Sequence, residues 1–199
     1  MADITAGGQV ITDWTAVAQN TLVHSAELDI SDDLEANLIL QAFLDTTTAH
    51  TGTKITVETS WNTSGDEDWS ELTQRVILIG TAATDLIEDN PLAAGSTSLT
   101  LTGHALTVEG IWLGIEDGTL VNSEVGRVAS QSANAVVLLD GTTNEHAQNT
   151  AVFNVAISEV IAYLTAATRR IRIIVDNTYD DNGSTLNYRL MISRATDIE

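Results

Sequence analysis

The side chains most capable of chemistry in this chain are oxygen ligands crowded into one short loop, DNTYDDNGS at residues 176–184. Asp176, Asp180, Asp181 and Asn182 could bind Ca²⁺, which takes roughly six to eight oxygen ligands. The loop lacks the residue order of an EF-hand. Asp-Asp-Asn-Gly is also typical of a plain turn, because Asn and Gly accept positive φ. We therefore expect a plain turn and no cofactor, with a structural calcium ion as the alternative.

The four histidines give a weaker metal signal. His24, His50, His104 and His146 occur singly, with no H-x-x-x-H pair, whereas a zinc site needs about three or four convergent ligands. His104 and His146 lie in the same part of the chain and could meet in space, but a structural role is favoured. The chain has no cysteine and no G-x-S-x-G nucleophile motif. We therefore expect no catalytic residues and no enzyme.

Two tryptophans suggest a carbohydrate contact. Trp61 and Trp69 flank the acidic loop NTSGDED, where their rings could stack on a sugar. The commoner interpretation is that both rings anchor the ends of the loop to the core. Aromatic residues make up only 5% of the chain, which argues against the aromatic-lined cleft of a glycoside hydrolase.

Positive charge is concentrated near the end of the chain. Five of the eight basic residues lie in the last 31 positions: Arg169, Arg170, Arg172, Arg189 and Arg194. In a protein this acidic, such a group is a candidate docking face for an acidic neighbour. The alternative is that these arginines pair with carboxylates of the N-terminal half on adjacent strands.

The overall charge excludes one class of partner. The chain has 28 acidic and 8 basic residues among 199, a formal net charge of −20. Such a field repels phosphate backbones, so we expect no binding to nucleic acid. No apolar run approaches the roughly 18 residues that a membrane span needs, so we also expect no membrane insertion.

The elements that would position these residues are strands. Residues 54–61 (KITVETSW) and 186–194 (LNYRLMISR) alternate between apolar and polar positions, as half-buried strands do. Shorter apolar runs at 38–44, 75–79 and 171–175 predict more fully buried strands. The two best helical candidates, 32–42 and 159–167, could equally be strands. The pattern predicts an all-β protein.

A boundary is expected near the single proline, Pro91. After it, five short strands are predicted at 98–102, 110–116, 124–130, 135–139 and 150–155, a number that suits a small barrel or sandwich. Residues 158–199 alone would form too few strands for a stable core. We therefore predict a discontinuous host β-sandwich (jelly-roll or Ig-like) from residues 1–89 plus 157–199, and an inserted small β-barrel-like domain at 90–156.

The inserted segment contains recognisable motifs. They are AGSTSLTLT at 94–102, GIWLGIEDG at 110–118, SEVGRV at 123–128 and VVLLDGTTNEH at 136–146. Together they resemble a small β-domain found repeatedly in virion proteins of tailed phages and related archaeal viruses. The loop WNTSGDEDWSEL and the closing segment IRIIVDNTYDDNGSTLNYRLMISRA resemble the β-sandwich of viral head decoration proteins.

The resemblance implies a virion structural protein at the capsid surface. The expected role is that of a decoration (cement) protein that binds and stabilises the assembled head. Its expected partners are the major capsid protein and copies of itself, with a trimer as the first expectation. The resemblance supplies no catalytic residues. A neck or tail component and a carbohydrate- or receptor-binding module are the alternatives.

Overall fold

The computed structural model describes most of the chain, in ten stretches: residues 6–31, 33–45, 49–50, 52–65, 68–78, 80–81, 84–103, 112–165, 168–178 and 185–196. The described residues form strands joined by turns, and one short 3₁₀ helix, Leu120–Asn122. The predicted all-β class is confirmed. No helix in the described stretches is long and apolar enough to span a membrane.

Sixteen strands are found in the described residues. In chain order they are β1 (Ala6–Val17), β2 (Leu22–His24), β3 (Leu28–Asp29), β4 (Asp33–Asp45), β5 (Ala49–His50), β6 (Thr53–Ser60), β7 (Ser70–Ile77), β8 (Gly80–Thr81), β9 (Thr84–Leu86), β10 (Ser98–Thr100), β11 (Trp112–Glu116), β12 (Glu124–Ser132), β13 (Ala135–Leu138), β14 (Ala151–Thr165), β15 (Arg170–Asp176) and β16 (Thr185–Thr196).

Two antiparallel sheets pack face to face as a sandwich. The large sheet has the order β1-β16-β4-β14, and the small sheet has the order β2-β15-β6-β7, with β3 also paired to β15. Their facing side chains form one apolar core, drawn from residues 17–78 and 161–192. Residues from both ends of the chain therefore bury their apolar surface against each other, which is the main stabilising term of such a core.

The sequence periodicity predicted most of this core correctly. Leu186, Tyr188, Leu190 and Ile192 alternate along β16 and are all buried. Both helical candidates are strands, β4 and β14. The prediction of a buried strand at 75–79 was wrong in its burial: Val76 is 57% exposed, because β7 is the edge strand of the small sheet.

The segment after the single proline closes into a barrel together with β9, which precedes the proline. From β14 the sheet continues through β11, β12 and β13 to β10. Leu101, just after β10, bridges to Ile87, just after β9, and β9 pairs back to β14. The ring of hydrogen bonds is thus complete, and it encloses a second apolar core drawn from residues 87–152. Closure removes the exposed sheet edges that an open sheet would present.

The barrel and the sandwich share one long strand. The first part of β14 pairs with β11, and the rest pairs with β4, so the predicted boundary at residue 156 falls inside this strand. A small aromatic cluster packs at the junction, where the ring centroids of Phe43 and Phe153 are 5.9 Å apart. Gly114 lies directly against Phe43. The division of the chain into host and inserted domains stays a prediction.

Candidate functional site

A buried charged side chain with several polar partners lies at one end of the small sheet. Arg170 is only 5% exposed at the start of β15. Its guanidinium donates to the carbonyl oxygens of Asn62 (2.7 Å) and Gly65 (2.6 Å), and it forms an ion pair with Glu27 at 2.6 Å. Charge-assisted hydrogen bonds of this kind are the strong ones. Arg170 therefore fixes the course of the loop that follows β6.

Trp69 is held by two arginines. The guanidinium carbons of Arg170 and Arg172 lie 4.9 and 4.3 Å from the centroid of its ring. Such cation–π contacts are attractive because the ring face is electron-rich. Arg172 is itself held by Glu58 on the neighbouring strand, at 2.6 Å. The indole nitrogen of Trp69 is buried and finds no acceptor among the described residues. These contacts hold the Trp69 ring in one position beside the loop that follows β6.

A shallow groove of about 450 Å³ lies beside the Trp69 ring. Its lining residues are Trp61, Asn62, Asp68, Trp69 and Ser70. Trp61 is 65% exposed just beyond the end of β6, so the commoner interpretation, that its ring anchors the loop to the core, was wrong for Trp61. The Asn62 amide donates to the Asp68 carboxylate at the rim. An exposed indole next to an amide–carboxylate pair can stack on a sugar ring and hydrogen-bond its hydroxyls. The glycan contact of Trp61 and Trp69 stays a prediction.

The other arginines of the predicted docking face lie apart from this cluster. Arg169 is exposed next to Arg170 on the small sheet, whereas Arg189 and Arg194 belong to β16 of the large sheet. Arg189 lies 3.7 Å from Asp13, and the side chain of Arg194 is outside the described part of the structure. The observed partners are carboxylates of the N-terminal half, as the alternative interpretation expected. Docking through these arginines stays a prediction.

Only one of the predicted calcium ligands can be placed. Oδ1 of Asp176 accepts hydrogen bonds from the backbone N–H and the hydroxyl of Thr178, at 3.0 and 2.5 Å. These are the contacts of a turn. Asp180, Asp181 and Asn182 lie outside the described residues. No group of three histidine or acidic side chains that could hold a metal ion occurs in the stretches that the structure describes. The calcium site stays a prediction.

A buried histidine in the barrel was not identified by the sequence analysis as a charge site. The His146 side chain is fully buried, with Nδ1 3.3 Å from Asp117 and Nε2 2.6 Å from Glu124. Glu124 also accepts hydrogen bonds from the backbone N–H groups of Thr143 and Asn144, at 2.7 and 3.2 Å. His104, its suggested metal partner, lies outside the described residues.

The pKa values of this pair are shifted in opposite directions. Burial alone would lower the pKa of His146, but the hydrogen bond and charge of Glu124, with those of Asp117, outweigh it and raise that pKa. Burial alone would raise the pKa of Glu124, but its bonds from His146 and from the two backbone N–H groups outweigh it and lower that pKa. Each shift favours the charged form of its group, His146 as the acid and Glu124 as the carboxylate.

A sequence signal for this contact existed. Asp117 belongs to the motif GIEDG, Glu124 to SEVGRV and His146 to VVLLDGTTNEH. These are three of the four motifs on which the resemblance to the virion domain rests. Barrel closure brings their polar residues together, so the motif positions meet at one point in space.

Comparisons with known proteins give weak likenesses only. No family model matches the chain, and no curated protein matches it. Among solved structures, the Gp54 tailspike of Acinetobacter baumannii bacteriophage AP22 matches 39% of this chain and 14% of its own, at 19% identity and a TM-score of 0.31. A structure of the infectious bursal disease virus Gx strain matches 98% of this chain and 42% of its own, at 8% identity and a TM-score of 0.25.

A third match is the VP16–VP17 complex of the two major capsid proteins of bacteriophage P23-77. It covers 96% of this chain and 99% of the matched chain, at 9% identity and a TM-score of 0.20. All three proteins come from viruses. The chain spans well under two thirds of the first two matched chains. Likeness at these TM-scores establishes neither a shared fold nor a shared function.

Proposed function

We propose that this chain is a virion structural protein, specifically a decoration protein that binds the assembled head. One observation carries the proposal. The segment with the virion-domain motifs closes into a barrel, and the polar motif residues Asp117, Glu124 and His146 meet there in one buried contact. The remaining chain supplies the β-sandwich that such a head protein would need as its base.

The proposed mechanism is passive binding without chemical turnover. A protein that binds the assembled shell, and not its separate subunits, stabilises the shell by mass action. The shared strand β14 and the aromatic cluster at Phe43 and Phe153 fasten the barrel to the sandwich. The net charge of −20 would keep particles dispersed.

Electron microscopy of virus particles that carry a tagged copy of the chain tests the location. If the chain is a decoration protein, we expect the label to be distributed over the head in a regular lattice. Label confined to the neck or tail would support the alternative of a neck or tail component and would contradict head decoration. Particles with no label would contradict both.

The groove at Trp61 favours a second candidate, a carbohydrate- or receptor-binding module. Trp61 is 65% exposed beside Asn62 and Asp68, without a described partner that covers its ring. A glycan array probed with the purified chain, and with its Trp61→Ala variant, tests this function. Binding that is lost in Trp61→Ala but kept in a Leu72→Ala control would support it. Leu72 is also exposed on the small sheet but lies outside the groove. An array without binding would contradict it.

A further inference from the structure

A pocket lies where the barrel meets the sandwich, and it shares no residue with the groove at Trp61. Its volume is about 580 Å³, within the range of roughly 300–1,000 Å³ that small-molecule sites occupy. The barrel contributes two short segments, within 116–120 and at 147–151, and the sandwich contributes the end of β1 and the start of β16. Junctions of this kind are common places for ligand sites.

The sandwich side of this pocket contains a buried amide without a partner. Leu186 and Tyr188 face the sandwich core, so Asn187 between them points to the opposite face of the large sheet. There it lies opposite Phe43, which packs in the junction cluster. Asn187 is only 1% exposed, and its Nδ2 finds no acceptor among the described residues. Buried donors are almost always satisfied by protein, water or a ligand, so this amide calls for an acceptor.

Two threonine hydroxyls of the pocket are available as well. Thr185 is two residues from Asn187 on β16 and therefore shares its face. Thr150 lies just before β14 and is 9% exposed. Neither hydroxyl has a hydrogen-bond partner among the residues that the structure describes. Each can both donate and accept.

The barrel side of the pocket is negatively charged. Glu116 and Asp117 line it, and none of its lining residues is Lys, Arg or His. Asp117 accepts from the backbone N–H of Thr119 at 2.8 Å and lies 3.3 Å from His146, which leaves it lone pairs for further donors. A phosphate or carboxylate ligand would be repelled here. The pocket therefore favours a ligand without negative charge.

The mixture of polar groups narrows the class of ligand further. An ammonium or guanidinium group would satisfy the carboxylates, but it carries no acceptor for the Asn187 amide. A hydroxyl group both donates and accepts, so neighbouring hydroxyls on one molecule serve the carboxylates, the threonines and the amide together. Sugars carry such hydroxyls on most of their carbons. Leu120 and Ala151 give the pocket a small apolar surface for the C–H groups of a sugar ring.

We propose that this pocket binds a neutral carbohydrate unit, whose hydroxyls accept from the Asn187 amide and donate to Glu116 and Asp117. The χ2 torsion of Asn is soft, so the amide can turn toward a bound hydroxyl. The site is independent of head decoration, because sugar binding is measured on the free chain. No aromatic ring lines the pocket, so hydrogen bonds supply most of the attraction. Their net gain in water is small, and we expect a Kd in the millimolar range.

NMR spectroscopy of the isotope-labelled chain tests the proposal. A panel of neutral hexoses and N-acetylhexosamines is titrated to ~50 mM while the Asn187 side-chain amide is followed. We expect saturable shifts at Asn187 and at the backbone amides of Gly118 and Asn149 with at least one sugar. Nα-acetylarginine amide and inorganic phosphate are the charged probes. A stronger response to either of them than to every sugar would overturn the ligand class, and no saturable response at Asn187 would overturn the site.

Two variants check that the response belongs to this pocket. Asn187→Leu removes the amide at similar volume, and Thr150→Val removes one hydroxyl; each should weaken sugar binding about 3- to 10-fold. Thr165→Val, at an exposed position at the far end of β14, is the matched control and should leave the Kd unchanged. A Kd that stays the same in both pocket variants would contradict the proposal. Shifts confined to Trp61 and Asn62 would place the sugar in the other groove and would contradict it too.

Discussion

Nε2 of His146 lies 2.6 Å from Oε1 of Glu124 inside the barrel wall, and this contact joins two segments that are 22 residues apart. The imidazole is fully buried and Asp117 lies on its other nitrogen. The backbone of His146 also exchanges both of its hydrogen bonds with Leu92. The hydrogen bonds between Leu92 and His146 therefore join the beginning of the barrel segment to its end.

The stability of the barrel should depend on pH through this pair. The pKa of His146 is raised above its ordinary 6.5, so its contribution is fully present below pH 6.5 and is lost as pH rises through the raised pKa. The pKa of Glu124 is lowered below its ordinary 4.5, so its contribution is present above pH 4.5 and is lost as pH falls through the lowered pKa. We therefore expect the barrel to be most stable, and its amides best protected from hydrogen exchange, between pH 4.5 and pH 6.5.

Amide hydrogen exchange at Thr143 and Asn144 measures this effect directly, because both N–H groups donate to Glu124. His146→Gln should raise their exchange rates and abolish the loss of protection above pH 6.5. The cost in unfolding free energy should be about 1–3 kcal/mol, as for a broken buried hydrogen bond. His24→Gln, at an exposed position, is the control. Equal exchange rates in wild type and His146→Gln would contradict the assignment.

Gly114 should be indispensable at the junction of barrel and sandwich. A Cβ atom there would lie 2.5 Å from both Cβ and Cγ of Phe43, too close for any real contact. Gly114→Ala should therefore destabilise the chain by about 1–3 kcal/mol, the usual cost of overpacking. Urea unfolding measures the change. Gly118→Ala is the matched control, since its Cβ would meet nothing within 4 Å, and a similar loss in both variants would contradict the close packing.

Arg170 should not tolerate replacement by lysine. Its planar guanidinium serves Glu27, Asn62 and Gly65 in different directions, which one ammonium group cannot do. Arg170→Lys should lower the free energy of unfolding by about 1–3 kcal/mol. Thermal unfolding checks this against Arg169→Lys, the exposed neighbour, which should change little. If the two variants melt alike, Arg170 does not organise the loop.

The sandwich was predictable because alternation along a strand reports burial directly. Leu186 to Ile192 on β16 shows this, since every second residue faces the core. The burial of the 75–79 segment was not predictable, because edge position depends on the strand order of the whole sheet. The candidate helices at 32–42 and 159–167 became strands because each lies inside the large sheet, between partners that local pattern cannot reveal.

The charged contacts were harder to predict than the strands. Pairing Arg172 with Glu58 requires the register between two strands far apart in sequence. Pairing His146 with Glu124 requires the course of the loop that carries His146 past the barrel wall. These arginines and the acidic motifs are recognisable in the sequence, but residue spacing alone does not indicate which of them meet. The exposed position of Trp61, just beyond the end of β6, likewise follows from where the strand stops.

The most direct test of head decoration is to add purified chain to particles, or to empty shells, of the virus that encodes it. We expect saturable binding at a fixed number of copies per capsid subunit, an increase in the temperature at which the shells rupture, and no binding to unassembled capsid subunits. Absence of binding to shells, or equal binding to free subunits, would contradict the account.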